Sequence, residues 1–282
     1  LGTVVSEDGY ILTKRSELTP DPISVRLPGG QKVDARVSAV RRDNDLALLQ
    51  ITGGNESTWN VEPATFATEE PPIGSFLISP GRSGFTIGVG VLGVSARHIG
   101  HQGRLGVRLY DAPAGPAMVR HVQPSSGAEE AGLQDGDQIL KINGIEMLGS
   151  RSAIQTLGKM YPGEVVRLTI VRGDDTIELD ALMSDEAVLR ESKNDAKVNG
   201  PRNVRLSGFD SVIQHDTVLS PSQCGGPIVD SSGNIVGINI ARAGRVVSYA
   251  LPSSLVTAEI ISMLEEARRR ERASEVAAPS NN

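Results

Sequence analysis

Cys224 is the one cysteine of the chain, and it sits in Pro221-Ser222-Gln223-Cys224-Gly225-Gly226-Pro227, a nucleophile-type side chain followed directly by two glycines and a proline. A thiol is a strong nucleophile, but at an unperturbed pKa of ~8.5 only a few per cent is thiolate at pH 7. It needs a base, or a neighbour that lowers its pKa. The chain has four histidines, His98, His101, His121 and His215. His215 lies nine residues before Cys224 and is a candidate replacement base, although its setting favours a strand residue aimed into a β core. His98 and His101 lack a Cys or acidic partner at ligand spacing, so no metal site and no cofactor is expected. A single cysteine excludes an internal disulfide framework, and Cys224 reads more readily as an inert, partly buried thiol than as a reactive one.

The elements that would position these groups are mostly strands. Aromatic residues are only 3% of the chain, whereas 31 glycines and 16 prolines supply frequent turns; that balance suits many short strands better than a helical bundle. Thr3–Val5, Tyr10–Thr13, Ile23–Leu27, Val33–Val40 and Leu46–Ile51 read as strands, and Thr86–Val94 as a Gly-rich one. This argues for a barrel or sandwich rather than a βαβ repeat. A second unit begins near Arg104. It contains a short helix at Gly127–Leu133, a strand at Gln138–Ile142, a helix holding Ile154 and Leu157, and two closing strands, Val165–Arg172 and Thr176–Leu182. Polar sequence from 185 to 202 reads as a linker. β patterning then resumes and ends in an amphipathic helix with Val256, Ile260, Met263 and Leu264 on one face. Its basic run, Arg268-Arg269-Arg270, suits a helix C-terminus.

Three motifs in order resemble HtrA-type (Do-type) trypsin-fold serine proteases. Gly2-Thr3-Val4-Val5-Ser6-Glu7-Asp8-Gly9-Tyr10-Ile11-Leu12-Thr13 is similar to the strand pair that delivers the family's catalytic His. The family continues Thr-Asn-Asn-His, whereas this chain continues Lys14-Arg15-Ser16, so the resemblance puts Ser16 at the His position. Asn44-Asp45-Leu46-Ala47 resembles the segment with the triad aspartate, and Asp45 fits it. Pro221–Asp230 resembles the nucleophile loop Gly-Asn-Ser-Gly-Gly-Pro, with Cys224 at the serine and Ser222, Gln223 and Cys224 at the oxyanion-hole positions. Gln-Cys-Gly-Gly is also similar to the loop of viral chymotrypsin-like cysteine proteases, which keep a His base. Leu105-Gly106-Val107 resembles the carboxylate-binding loop of HtrA-type PDZ domains, and Gly127 to Asn143-Gly144 matches that class.

The expected architecture is mostly β: a trypsin-like double β-barrel with an inserted PDZ (α+β) domain and a C-terminal helix. Residues 1–100 would form the first barrel and the start of the second, 101–184 the PDZ domain, and 185–202 the linker. Residues 203–273 would complete the second barrel and the helix, leaving 274–282 as a disordered tail. A triad needs a base and an orienter for it, and Ser16 supplies no base. Ser222, where the family has Gly, makes the oxyanion turn less accessible. The resemblance thus implies a pseudo-protease that binds polypeptide C-termini or extended segments. Its PDZ contacts would be Leu105, Gly106, Val107, Leu109, Ile154 and Leu157, with Ile154 and Leu157 competing for the groove-facing position. The alternatives are an endopeptidase using Cys224 with an unrecognised base, and a thiol sensor. A net charge of −6 gives no electrostatic reason for a nucleic-acid partner. No apolar run reaches membrane-spanning length. Homo-oligomerisation stays open, and the resemblance implies an extracytoplasmic (periplasmic or secreted) setting. Leu1 enters strand-like sequence directly, without a visible signal peptide or initiator Met, which reads as a processed or trimmed chain or a fragment.

Overall fold

The structure is a computed structural model of the 282-residue chain. It describes all residues except 19–21, 54–58, 60, 83–84, 112–114 and 278–282, with only the backbone at 274–277. Two compact units emerge: Leu1–Ile99, Asn199–Asn203 and Phe209–Asn282 form the first, and Gly100–Val198 with Val204–Gly208 the second.

The first unit opens with five antiparallel strands: β1 (Gly2–Val4), β2 (Tyr10–Lys14), β3 (Ile23–Arg26), β4 (Lys32–Arg41) and β5 (Leu46–Ile51). Their hydrogen-bonded path runs β1-β2-β5-β4-β3. β2 is buried along its whole length and β5 nearly so, which is why both read as apolar runs rather than alternating ones. The sheet wraps a core of Ile11, Leu27, Val33, Leu49, Ile51 and Trp59, with Val4 and Val25 packed on from its two edges. Two longer strands follow, β6 (Phe76–Pro80) and β7 (Thr86–Ile99), the second extending five residues beyond the expected Val94.

The second unit is a small α+β domain. Its strands are β8 (Gly103–Arg104), β9 (Val107–Asp111), β10 (Ala117–Val122), β11 (Gln138–Ile142), β12 (Ile145–Glu146), β13 (Val165–Arg172), β14 (Asp175–Leu182) and β15 (Ser184–Asp185). The helices are α1 (Gly127–Glu130), α2 (Ser150–Leu157), α3 (Glu186–Leu189) and α4 (Lys193–Asn199). The main sheet runs β14-β13-β11-β10-β9, leaving β9 as an edge strand. Val119, Ile139, Leu168 and Ile170 fill its core with Leu105 and Leu157. The stretch 185–202, expected as a linker, carries β15, α3 and α4 instead. The reason is local capping: Asp185 is 1% exposed and accepts from Ala187 N at 3.0 Å as the N-cap of α3. Its other oxygen accepts from Ser207 Oγ at 2.6 Å. Ser192 Oγ likewise accepts from Asp195 N at 3.1 Å at the start of α4.

The chain then returns to the first unit through β16 (Phe209–His215), β17 (Pro227–Val229), β18 (Ile235–Gly244) and β19 (Val247–Pro252). These four close a six-stranded barrel with β6 and β7, in the order β16-β19-β18-β17-β6-β7. Strands from both sides of the inserted domain thus share one core, in which Leu77 and Leu92 meet Ile213, Ile228 and Ala250. The final helix, α5 (Ser253–Ala277), buries Val256, Ile260 and Met263. It runs past the expected end at 273, so Arg268 and Arg270 are interior to the helix. They act as ion-pair partners there, Arg268 with Asp8 at 3.0 Å and Arg270 with Glu266 at 2.6 Å. The disordered tail expected at 274–282 lies outside the residues whose side chains are described. Among the described residues, no helix is long and apolar enough to cross a membrane.

Candidate functional site

Ser16 lies in a 3₁₀ turn, Arg15–Glu17, directly after β2. Asp45 ends the turn between β4 and β5 in a left-handed conformation (φ 55°), a strained setting for a non-glycine residue and common where a side chain must be aimed. That carboxylate is fully buried. Ser16 N donates to Oδ1 at 3.0 Å and Ser16 Oγ to Oδ2 at 2.7 Å. The ammonium of Lys14, also fully buried, forms an ion pair with Oδ2. A buried carboxylate is tolerated only with such partners. Lys14 has taken the role of countercharge, and Asp45 is committed to holding the β2 turn. The sequence reading missed Lys14. Its signal is a charge placed where an uninterrupted buried strand continues.

Cys224 follows a second 3₁₀ turn, Pro221–Gln223. Ser220 and Gln223 form a reciprocal capping box around it, with Ser220 N donating to Gln223 Oε1 at 2.7 Å. The turn consumes backbone donors: Gln223 N bonds Ser220 O at 3.0 Å and Cys224 N bonds Pro221 O at 3.1 Å. Ser222 and Gln223 therefore occupy a closed turn, and the N–H of Cys224 points back into it. Gly225 (φ +96°) lets the loop bend onto β2; a Cβ there would lie 2.4 Å from Leu1 O and 2.9 Å from Lys14 N. The thiol is 1% exposed and donates to Asn203 Oδ1 at 3.3 Å. Burial pushes it up to about 11, against the pull of the nearby Lys14 ammonium.

No imidazole bonds Cys224 among the described residues. His215 is at the end of β16, 1% exposed, with Nδ1 2.8 Å from Thr217 Oγ1. Burial lowers its pKa to about 4. His101 lies against Tyr161 in the second unit, the ring centroids 4.6 Å apart and the planes tilted by 55°, and His121 is opposite Arg108 across β9 and β10.

The second unit has a groove of about 790 Å³ between the edge strand β9, which has no second strand partner among the described residues, and helix α2. Leu105, Gly106, Val107, Leu109, Ile154 and Leu157 all line it. Leu157 is 7% exposed and belongs to the core, while Ile154 is 57% exposed and stands open at the groove. Gly106 (φ +89°) makes the tight bend before β9, and a Cβ at this residue would lie 2.2 Å from Ser126 Cβ. The floor is anchored by Gln123 N to Gly106 O at 2.8 Å and by Ala128 N to Leu105 O at 3.1 Å. Beyond the residues expected, Arg104, His121, Glu186 and Leu189 also line the groove, and Arg104 pairs with Glu186 at 2.7 Å.

This is a trypsin-type fold carrying a PDZ unit, and comparison with known proteins agrees. Residues 1–122 match the trypsin-like peptidase domain model and residues 90–182 the PDZ domain model. The chain is HtrA-like, a protease homologue of the trypsin-like class with a PDZ domain. A "Probable periplasmic serine endoprotease DegP-like" of Pseudomonas putida (strain GB-1) is 24% identical, covering 88% of this chain and 69% of the relative. A relative of the same description from Ectopseudomonas mendocina is 25% identical over 61% of this chain and 53% of its own. The "Zinc metalloprotease RasP" of Shouchella clausii is 35% identical over only 30% of this chain and 20% of that protein. The chain thus spans from a fifth to about two thirds of the length of these three relatives. Among solved structures, "HtrA-type protease AlgW with decapeptide" is 18% identical over 64% of this chain and 81% of its own, with a TM-score of 0.28.

Proposed function

We propose that this protein binds polypeptide through its PDZ groove and lacks efficient proteolysis. One observation carries the second half: the carboxylate at the triad-aspartate position is saturated by Lys14 and Ser16, so no base is oriented toward Cys224. A nucleophile without a base, whose own N–H is turned inward, lacks the proton acceptor and one of the oxyanion donors that acyl transfer needs. The thiol-sensor alternative is disfavoured by a buried thiol with a raised pKa, the reverse of a redox-sensitive cysteine.

The groove supports the first half. Its edge strand β9 is free to accept an extended peptide by main-chain hydrogen bonds, and the Leu105-Gly106 bend can offer N–H groups to a terminal carboxylate. Ile154, Val107 and Leu109 favour an apolar terminal side chain. By likeness to relatives named as periplasmic, the working compartment is extracytoplasmic. Two assays test the reading together. Incubation with unfolded casein should give no cleavage above that of Cys224→Ala, and cleavage abolished by that substitution would falsify the pseudo-protease half. Titration of a peptide ending in Val should show binding that weakens strongly when its C-terminus is amidated; equal affinities would remove the carboxylate site.

A further inference from the structure

The edge strand β9 has two chemically different faces. Val107 and Leu109 turn inward and pack on the domain core, whereas Arg108 and Tyr110 are exposed, as the two-residue alternation of a strand requires. The ladder to β10 shifts register between Val119 and His121, so Arg120 is the extra residue of a bulge, and Arg120 and His121 together oppose Arg108. Both are exposed as well. The outer face beside the open edge therefore gathers two arginines and a histidine.

The other arginines of the groove are engaged. Glu186 takes both Arg104, at 2.7 Å, and Arg190. Elsewhere in the unit Arg167 pairs with Asp180 and Arg172 with Asp137. Among the described residues, by contrast, the guanidinium groups of Arg108 and Arg120 make no ion pair or hydrogen bond. Two carboxylates close to them in the fold are engaged by backbone: Asp111 Oδ1 accepts from Ser150 N at 2.6 Å, and Asp135 Oδ1 from Val122 N at 2.9 Å. Like charges gathered at one point of a ladder are destabilising, and an anion placed alongside would relieve them.

A peptide added to β9 has a fixed register. With its terminal carboxylate at the Leu105-Gly106 bend, its last residue lies beside Val107 and turns its side chain into the groove. The penultimate residue then falls beside Arg108 and, by alternation, turns to the outer face. Side chains so opposed start about 4.5–5.5 Å apart at Cβ, well within reach of a guanidinium. We infer that the groove selects polypeptides whose last residue is apolar and whose penultimate residue is Asp or Glu, with Arg108 as the specificity-determining side chain and Arg120 and His121 flanking it. This rests on the reading of the groove as a C-terminal peptide site and narrows it, because the apolar pocket alone accepts any chain with a fitting last side chain.

Fluorescence anisotropy with three labelled heptapeptides, Gly-Ser-Gly-Ser-Ala-Xaa-Val with Glu, Ala or Lys as Xaa, tests this on the full chain. At about 50 mM salt, where screening is weak, the Glu peptide should bind about fivefold more tightly than the Lys peptide, with Ala between, as expected when an exposed charge pair turns from attraction to repulsion. The ratio should fall toward one at about 0.5 M salt. Arg108→Glu should invert the order, so that the Lys peptide binds more tightly than the Glu peptide; loss of a merely structural residue would weaken all three alike. If circular dichroism shows that variant unfolded, Arg108→Gln replaces it, and there the Glu and Lys peptides should converge to within about twofold. Equal affinities for the three peptides in wild type, with amidation still weakening each, would overturn the acidic preference and leave the PDZ reading intact. Binding of none of them would overturn both. An unchanged Glu-over-Lys ratio in a folded Arg108 variant would overturn the assignment to this residue.

Discussion

His215 gives a prediction that separates a barrel residue from a stand-in catalytic base. Its ring is buried at the end of β16, with Nδ1 on Thr217 Oγ1 and Asp216 the neighbouring charge. Burial disfavours the imidazolium and lowers the pKa from 6.5 to about 4. The folded state thus binds fewer protons than the unfolded chain across that interval. The stability contributed by the neutral ring is fully present above pH 6.5 and is lost as pH falls through 6.5 toward 4. At pH 4.5 the unfolded side chain is protonated while the folded one is mostly neutral, which costs roughly 2–3 kcal/mol relative to neutral pH. Urea unfolding of wild type and His215→Gln at pH 7.5 and 4.5 isolates this part, because the carboxylates titrate alike in both proteins. Wild type should lose roughly 2–3 kcal/mol more than the variant between the two pH values. Equal losses would refute the burial argument. A ring titrating near 6.5 by NMR would do the same, since it would place an accessible imidazole nine residues from Cys224.

Three further outcomes are expected. Ser16→His alone should yield no casein cleavage above the Cys224→Ala background, because Lys14 still holds Asp45 and Cys224 N–H still bonds Pro221 O; turnover in the single variant would show that neither contact matters. Lys14→Met should destabilise the first unit by about 3–5 kcal/mol by stranding a buried carboxylate, with Lys14→Met/Asp45→Asn recovering much of the loss in urea unfolding; a single variant as stable as wild type would contradict the pairing. Gly106→Ala should weaken a Val-ending peptide by at least about tenfold in calorimetry, since the added Cβ meets Ser126 Cβ at 2.2 Å and positive φ disfavours a side chain; unchanged affinity would mean that the Leu105-Gly106 bend takes no part in binding.

What could be read beforehand divides along a physical line. β2 and β5 were legible because nearly every residue in them is apolar and buried, and the PDZ elements because turn residues and apolar periodicity agree. The positions of Ser16, Asp45 and Cys224 in their turns were legible from local motif order. Partners supplied from far along the chain were not. Lys14 looks like the solvated end of a strand until Asp45 is brought beneath it. Asn199-Gly200-Pro201 carries every mark of a loop, since Gly and Pro punctuate it, and nothing local reveals that Asn203, just beyond it, meets β18 some forty residues later. A backbone donor and acceptor left open in a buried cleft must find partners, and those of Arg242 find them in Asn203, which accepts from Arg242 N at Oδ1 and donates its own N–H to Arg242 O. That requirement appears only once the register of β17 on β18 is known, and it is met by one asparagine after a loop rather than by a strand.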